Sequence, residues 1–357
     1  MTVKGIILSA CMCIFFISKG YMQGIKFLQP HKDIVDSNYI NPYTKDLTGR
    51  LFLSNKYSRV KIPGSANHPS FTYMPNTKLA IGIGATYHSF TFNLAYGTPL
   101  LNAGKTEKGN TTYLDLQGHI YSRKFAVDFL GQLYKGYYIS PKDFVPGYSG
   151  YFLRPDLRVR LVGLSAYYVF NNKEFSYRAS MIQSERQLKS AGTFLLGGEL
   201  CYGIVKGDSA LIPLQISEQY PQGAVNRLRF AKIGPSFGYA YTFVYDSHWF
   251  ATGSITLNAS LDFIRENTII GYRNHFAVSP DYMTRLAIGY NSRRWIYTAS
   301  WVNTTAVMKG SYNDANYKIS SGNYRLTVAH RFTLNRKARK MMKPADKFID
   351  ATKKLMQ

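Results

Sequence analysis

Twelve ionisable residues of this chain fall at alternate positions of extended segments, on the face away from the large apolar side chains. They are Asp115, His119, Lys124, Asp128, Arg158, Arg160, Arg178, Glu199, Lys232, Asp262, Arg285 and Arg325. Successive side chains of a strand point to opposite faces, so a shared parity gathers such groups on one side of a sheet. Both signs of charge are present, and two chemistries follow. Carboxylates and cations that face each other across an enclosed space neutralise one another as a network. Around an open space, rings of cationic side chains favour anions along a solute path. Hydrolysis needs more, because a nucleophile must meet a base and a group that orients the base. His119 has Asp115 near it in sequence, but no spacing joins that pair to a nucleophile, so the expectation is that the chain is not an enzyme. His88, His248 and His330 fall at strand ends or turns and show no ligand spacing for a metal, and no cofactor is expected.

The one segment with a catalytic look is "GDSAL" at 207–211, which resembles the block that carries the nucleophilic serine of one lipase and esterase group. That serine lies between a strand and a helix of an α/β domain, whereas Ser209 follows turn residues in an all-β pattern. Gly207 and Asp208 read as a hairpin turn. The three cysteines are Cys11, Cys13 and Cys201, and the first two lie in an apolar leader, so the remaining chain has no partner for an internal disulfide.

The elements that position these groups are strands. In "LAIGIGATYHSFTFNLAYG" (79–97), Leu79, Ile81, Ile83, Ala85 and Tyr87 alternate with small residues, and Phe90, Phe92, Leu94 and Tyr96 do the same after a tight turn at His88. Alternating windows recur at 48–59, 78–87, 89–97, 112–121, 123–134, 157–170, 173–182, 192–205, 209–217, 229–245, 248–263, 283–291, 294–303 and 322–332. Short connections at 88, 122, 171–172, 206–208, 246–247 and 292–293 alternate with longer ones at 60–77, 98–111, 135–156, 183–191, 218–228, 264–282 and 304–321. Outer-membrane barrels pair an even number of antiparallel strands with short periplasmic turns and long outer loops. The expectation is an all-β antiparallel transmembrane β-barrel of about 14 strands, with 12 as the alternative, over residues 47–333. The 29 Tyr and 22 Phe suit aromatic girdles, and the large face is expected to look into lipid.

The ends set the compartment. "GIILSACMCIFFI" after Lys4, followed by Ser18-Lys19-Gly20, reads as a signal peptide over 1–20, with a periplasmic segment at 21–46. "LSAC" at 8–11 is a rival, resembling a lipoprotein box that ends in Cys11. From 334 to 357 the chain is basic, and Pro344 with Ala345, Phe348, Ile349, Thr352, Leu355 and Met356 at helical spacing predicts a short amphipathic helix. The net charge of +24 falls to +22 without Lys4 and Lys19. In a secreted barrel this points to outer-membrane lipid and lipopolysaccharide phosphates rather than nucleic acid, with a periplasmic partner for the tail.

The stretches "YMPNTKLAIGIGATY" (73–87), "YLDLQGHIYSRKFAVDFLGQLYKGYYI" (113–139) and "YFLRPDLRVRLVGLSAYYVFNNKEFSYRASMIQSERQLKSAGTFLLGGE" (151–199) resemble the Bacteroidota family catalogued as domain of unknown function 4421. The likeness runs from about residue 35 to 333 and implies a secreted, β-rich envelope protein of Gram-negative bacteria; it brings no catalytic or binding residues with it. Two functions remain open. One is a channel or transporter for small, anionic solutes, and the other is a closed barrel with a structural, adhesion, assembly or lipid-modifying role.

Overall fold

Wherever large apolar residues take every second position over a long run, the chain is extended. The structure is a computed structural model that describes residues 35–43, 46–65, 68–87, 90–97, 106–312 and 316–334. Its strands are β1 (Ile40–Pro42), β2 (Asp46–Ile62), β3 (Phe71–Met74), β4 (Ala80–Tyr87), β5 (Phe90–Gly97), β6 (Thr112–Tyr121), β7 (Phe125–Ser140) and β8 (Leu153–Val169). After the helix α1 (Tyr177–Ser180) come β9 (Glu185–Gln187), β10 (Ala191–Lys206), β11 (Arg227–Tyr245), β12 (Trp249–Asn267), β13 (Tyr272–Asn291), β14 (Trp295–Lys309) and β15 (Asn316–Thr333).

All pairing is antiparallel, and the sheet closes on itself. β7, β8 and β10 to β15 pair in order, and β15 pairs back onto β2 from Thr333↔Asp46 to Lys318↔Lys61. β3 then bridges β2 to β7, through Ile62↔Phe71 on one side and Thr72↔Ser140 on the other. Ten strands thus complete a ring. Three lie off that ring: β4 continues the line of β3 along β2 and carries β5, and β6 lies on β7. Closure leaves the ring no edge strand, which is the one way a sheet satisfies its backbone in hydrocarbon.

One end of the barrel carries the short turns at 122–124, 246–248 and 292–294, together with the longer connection from β8 to β10. At the turn end, Asp246 and Ser247 both take positive φ (48° and 53°), the left-handed centre of the turn from Tyr245 to His248 that joins β11 to β12. The turns at 122 and 292 share a device. Ser122 Oγ accepts from the Phe125 N–H at 3.0 Å, and Ser292 Oγ accepts from the Trp295 N–H at 3.0 Å. Asp46 and Thr333 meet at this same end.

The wall has two opposite faces. Outward, β11 exposes Ile233, Phe237, Tyr239, Tyr241, Phe243 and Tyr245, and β12 exposes Trp249, Ile255, Leu257, Leu261 and Phe263. Inward, β12 buries Thr252, Ser254, Thr256, Asn258, Ser260 and Asp262. From Ile233 to Tyr245 the strand covers about 40 Å of chain. A tilt of about 45° brings that to about 28 Å, close to the apolar band of a membrane barrel.

The count of fourteen strands is corrected, because two of the windows are not strands. Residues 173–182 hold α1, and 209–217 run into a 3₁₀ turn at Leu214–Gln219 that begins after Pro213. Both are alternating in sequence because they bury apolar side chains inside the barrel, not because they pair. The connection expected at 264–282 shrinks to 268–271, since Phe276 and Val278 continue the outward period of β13. The signal peptide, the turn at His88 and the tail helix lie outside the described residues.

The two faces generate a test. Leu257→Arg places a charge halfway up the outward face of β12 and should lower folding stability in lipid vesicles by about 2–4 kcal/mol, read as a shifted urea midpoint. An unchanged midpoint would mean that this face is not in hydrocarbon.

The barrel lumen as candidate functional site

Small inward side chains leave room inside a ring of this size, and three layers fill it. At the turn end, the connection between β8 and β10 folds into the barrel instead of passing outside it. Ser176 caps α1 by accepting from the Ala179 N–H at 3.1 Å, and all four helical residues are buried. Tyr177 stacks on Tyr121 of β6, with ring centroids 5.5 Å apart, and its hydroxyl lies 2.6 Å from Ser254 Oγ on β12. Burial pushes the Tyr177 hydroxyl above its usual pKa. Beyond the helix, β9 pairs with β1 from Ile40↔Gln187 to Pro42↔Glu185.

Glu185 is the hub of this plug. It is fully buried and receives Arg123 from the β6–β7 turn, Arg178 of α1 at 3.3 Å and the Ser176 hydroxyl at 2.5 Å. Its backbone carbonyl accepts from Asn291 Nδ2 and from Arg331, each at 3.0 Å. Arg331 also donates to the Gln183 carbonyl at 3.0 Å, and Arg50 donates to the Ile182 carbonyl at 2.9 Å. The wall therefore grips the plug through its main chain as well as through charge.

The middle layer is ionic. Lys232 Nζ lies 2.7 Å from Asp262 and 3.2 Å from Asp281, and donates to the Val307 carbonyl at 2.5 Å. Asp281 also accepts from the Val307 N–H at 2.8 Å. Arg285, wholly buried, pairs with Asp128, which His119 meets at 2.5 Å and the Tyr121 hydroxyl at 3.0 Å. Arg285 lies over the rings of Tyr167 and Tyr177, at 5.3 and 5.6 Å, so the ionic layer rests on the plug. Asp115 accepts from Gln132 and Tyr134, each at 2.6 Å, and faces Lys56 at 3.4 Å. A cavity of about 50 Å³ remains beside His119, Asp128, Glu199, Cys201 and Met283, room for a few waters.

The loop-end layer is apolar. Inward Val60, Ile62, Tyr73, Val159, Val205 and Phe230 enclose Leu211, Ile212, Ile216 and Tyr220 of the connection 207–226. Arg154 fixes that connection at the Ala210 carbonyl (2.8 Å), and Gln222 ties it to the Pro63 carbonyl (3.0 Å). Burial raises the pKa of Tyr220, whose hydroxyl donates to the Pro69 carbonyl at 2.8 Å.

Of the twelve residues picked by parity, Asp115, His119, Asp128, Glu199, Lys232, Asp262, Arg285 and Arg325 do face the lumen from strands. Arg178 is inside too, but on the plug rather than the wall. Three are corrected. Lys124 lies in the β6–β7 turn, and Arg158 and Arg160 point outward, because Leu157, Val159 and Leu161 are the buried parity of β8. Asp281 and Glu185 were missed because both fell in stretches read as loops; carrying the parity of Arg285 and Met283 back through Asp281 would have found the first. Ser209 Oγ takes a hydrogen bond from Arg154 at 3.1 Å, and no histidine contacts it among the described residues. His119 likewise has no serine, threonine or cysteine hydrogen-bonded to it among them.

An antiparallel ring with an apolar outside and a packed, charge-paired inside defines a β-barrel of the membrane-spanning class. The chain belongs to the family described as Domain of unknown function (DUF4421), whose model matches residues 34–332. No curated protein matches it in sequence. Among solved structures it is similar to the outer membrane protease OmpT from Escherichia coli, at 10% identity and TM-score 0.37, covering 81% of this chain and 97% of that one. It is also similar to the P. putida toluene transporter TodX, at 8% identity and TM-score 0.29, covering 83% and 93%. A third is Ail of Yersinia pestis, solved with a heparin analogue, at 10% identity and TM-score 0.19, covering 81% and 99%.

Two outcomes test the layers. Glu185→Ala removes the carboxylate that Arg123 and Arg178 share, and should make the plug cleavable by trypsin at Lys173, Arg186 or Lys189 while the strands stay protected; continued resistance would remove Glu185 from its role. Lys232→Met leaves two facing carboxylates and should cost about 3–5 kcal/mol, most of it recovered when Asp262 and Asp281 are also made Leu. Urea unfolding in vesicles reads both variants.

Proposed function

We propose that this chain is an outer-membrane β-barrel that acts as a closed scaffold of the cell envelope rather than as an open solute pore. The observation that carries the reading is the filled lumen. A passive pore needs a continuous wet path, and here an ionic layer lies between a locked plug and an apolar core. Of the cations that could have lined an anion path, Lys232 and Arg285 are spent on carboxylates, Arg158 and Arg160 point outward, and Arg325 lies over the Phe52 ring at 4.4 Å. The turn end, where β2 begins and β15 ends, is then periplasmic, and the long connections at 141–152 and 207–226 face outside. Delivery by a cleaved signal over 1–20 and docking of the basic tail 334–357 on a periplasmic partner belong to the same proposal. No catalytic step is assigned.

A gated path is the second reading, and one observation favours it. The plug is a discrete segment held at a few buried contacts around Glu185, so its release would open the turn-end half.

Single-channel recording of the refolded chain in a planar bilayer separates the two. A closed scaffold gives silence from both the native chain and Glu185→Ala, because the loop-end core still seals the barrel. Steady openings of the native protein would overturn the proposal, and openings only in the Glu185 variant would turn it into the gated reading.

A further inference from the structure

The outer wall changes chemistry along one line of register. Across β7 to β13, the outward positions Gly131, Val162, Tyr202, Ala231, Phe263 and Phe276 are paired neighbours in a single uncharged, mostly apolar row. One outward step nearer the loop end, the next row holds Arg160, Arg229 and Arg265, with Arg229 and Arg265 directly opposite each other. One step further, Lys135, Arg158, Lys206 and Arg227 stand side by side on four successive strands. Neither row contains an Asp or Glu; Asp208 lies 3.7 Å from Arg158 and is well exposed, and Asp156, two residues before Arg158 on β8, is taken by Arg154.

Like charges directly opposite on a ladder repel. A sheet that aligns four of them, and sets a second arginine pair beneath, is arranged for a counter-charge. The Arg229 Nε–H is buried and has no hydrogen-bond partner among the described residues, whereas Arg265 is held outward by Asn274 at 2.8 Å and over the Tyr272 ring at 4.6 Å. Between them lies a groove of about 300 Å³ whose apolar sides are Tyr202, Phe263 and Phe276.

We propose that this face binds the phosphates of an anionic outer-membrane lipid, with the acyl chains lying on the apolar rows below. The inference rests on the outer-membrane reading. The chemistry selects a lipid because cations border an apolar wall at a single level: free phosphate has no use for Tyr202, Phe263 and Phe276, and a lipid needs both. Guanidinium groups grip phosphate oxygens two at a time, so one phosphate bridging Arg229 and Arg265 relieves their repulsion.

The test refolds the full chain into phosphatidylcholine bilayers that contain either bisphosphorylated lipid A or the same lipid stripped of phosphate, and counts lipid retained per barrel by native mass spectrometry. Retention of the phosphorylated form should exceed the other about ten-fold. The variant K206E/R227E/R229E should abolish the preference, and K142E, a charge reversal in the 141–152 connection, should keep it. Equal retention of the two lipids, a preference that survives the triple reversal, or one that K142E also removes would overturn the inference. Insertion is scored separately, by the heat-dependent gel shift and protease protection in phosphatidylcholine alone. Failure to insert overturns the outer-membrane reading, and insertion without lipid preference overturns only the lipid site.

Discussion

Backbone hydrogen bonding without water is the constraint from which the rest follows. A sheet facing hydrocarbon has no solvent to complete its ladder, so it must close, and β15 meeting β2 along Lys318↔Lys61 to Thr333↔Asp46 is that closure. Closure creates an inside, and alternation makes that inside small and polar, as the Thr, Ser and Asn positions of β12 show. The room left by small side chains is taken up by segments that leave the wall and return. The plug and the connection 207–226 are therefore consequences of the ring, not ornaments on it.

Three clusters of buried charge in this interior are matched by opposite charge. Lys232 sits between two carboxylates, Arg285 takes one carboxylate and two aromatic faces, and Glu185 takes two guanidinium groups. Such pairs add little net stability over an apolar core, but a pair broken on one side is expensive. They act as registration marks, fixing which strand faces which across the lumen. The outer wall follows the reverse logic, since its aligned cations stand opposite one another with Asp208 as the acid paired to them, 3.7 Å from Arg158.

Much of this was legible in the sequence, and the failures have physical causes. Period-two alternation located the strands because it survives any choice of apolar residue, and it placed Asp128, Lys232, Asp262 and Arg285 on the inner face correctly. Parity failed on β8, where the buried positions Leu157, Val159 and Leu161 are as apolar as the outward Val162 and Leu164, so neither face announces itself. It failed at 173–182 and 209–217 because a segment inside a barrel meets the same burial demand as a strand without pairing. The pairing of Arg285 on β13 with Asp128 on β7 was hidden for another reason, since register across the lumen is set by how the ring closes and not by local spacing.

Arg331 lies over the Tyr43 ring and donates to carbonyl oxygens at Gln183 and Glu185, so part of its hold on the plug is on main chain. A grip of this kind is indifferent to residue identity. Where the seat rests on these carbonyls, a substitution that keeps the path of the chain leaves it in place, whereas Glu185 is held by its carboxylate as well. The barrel has in effect a socket for a backbone shape, keyed by one acidic side chain.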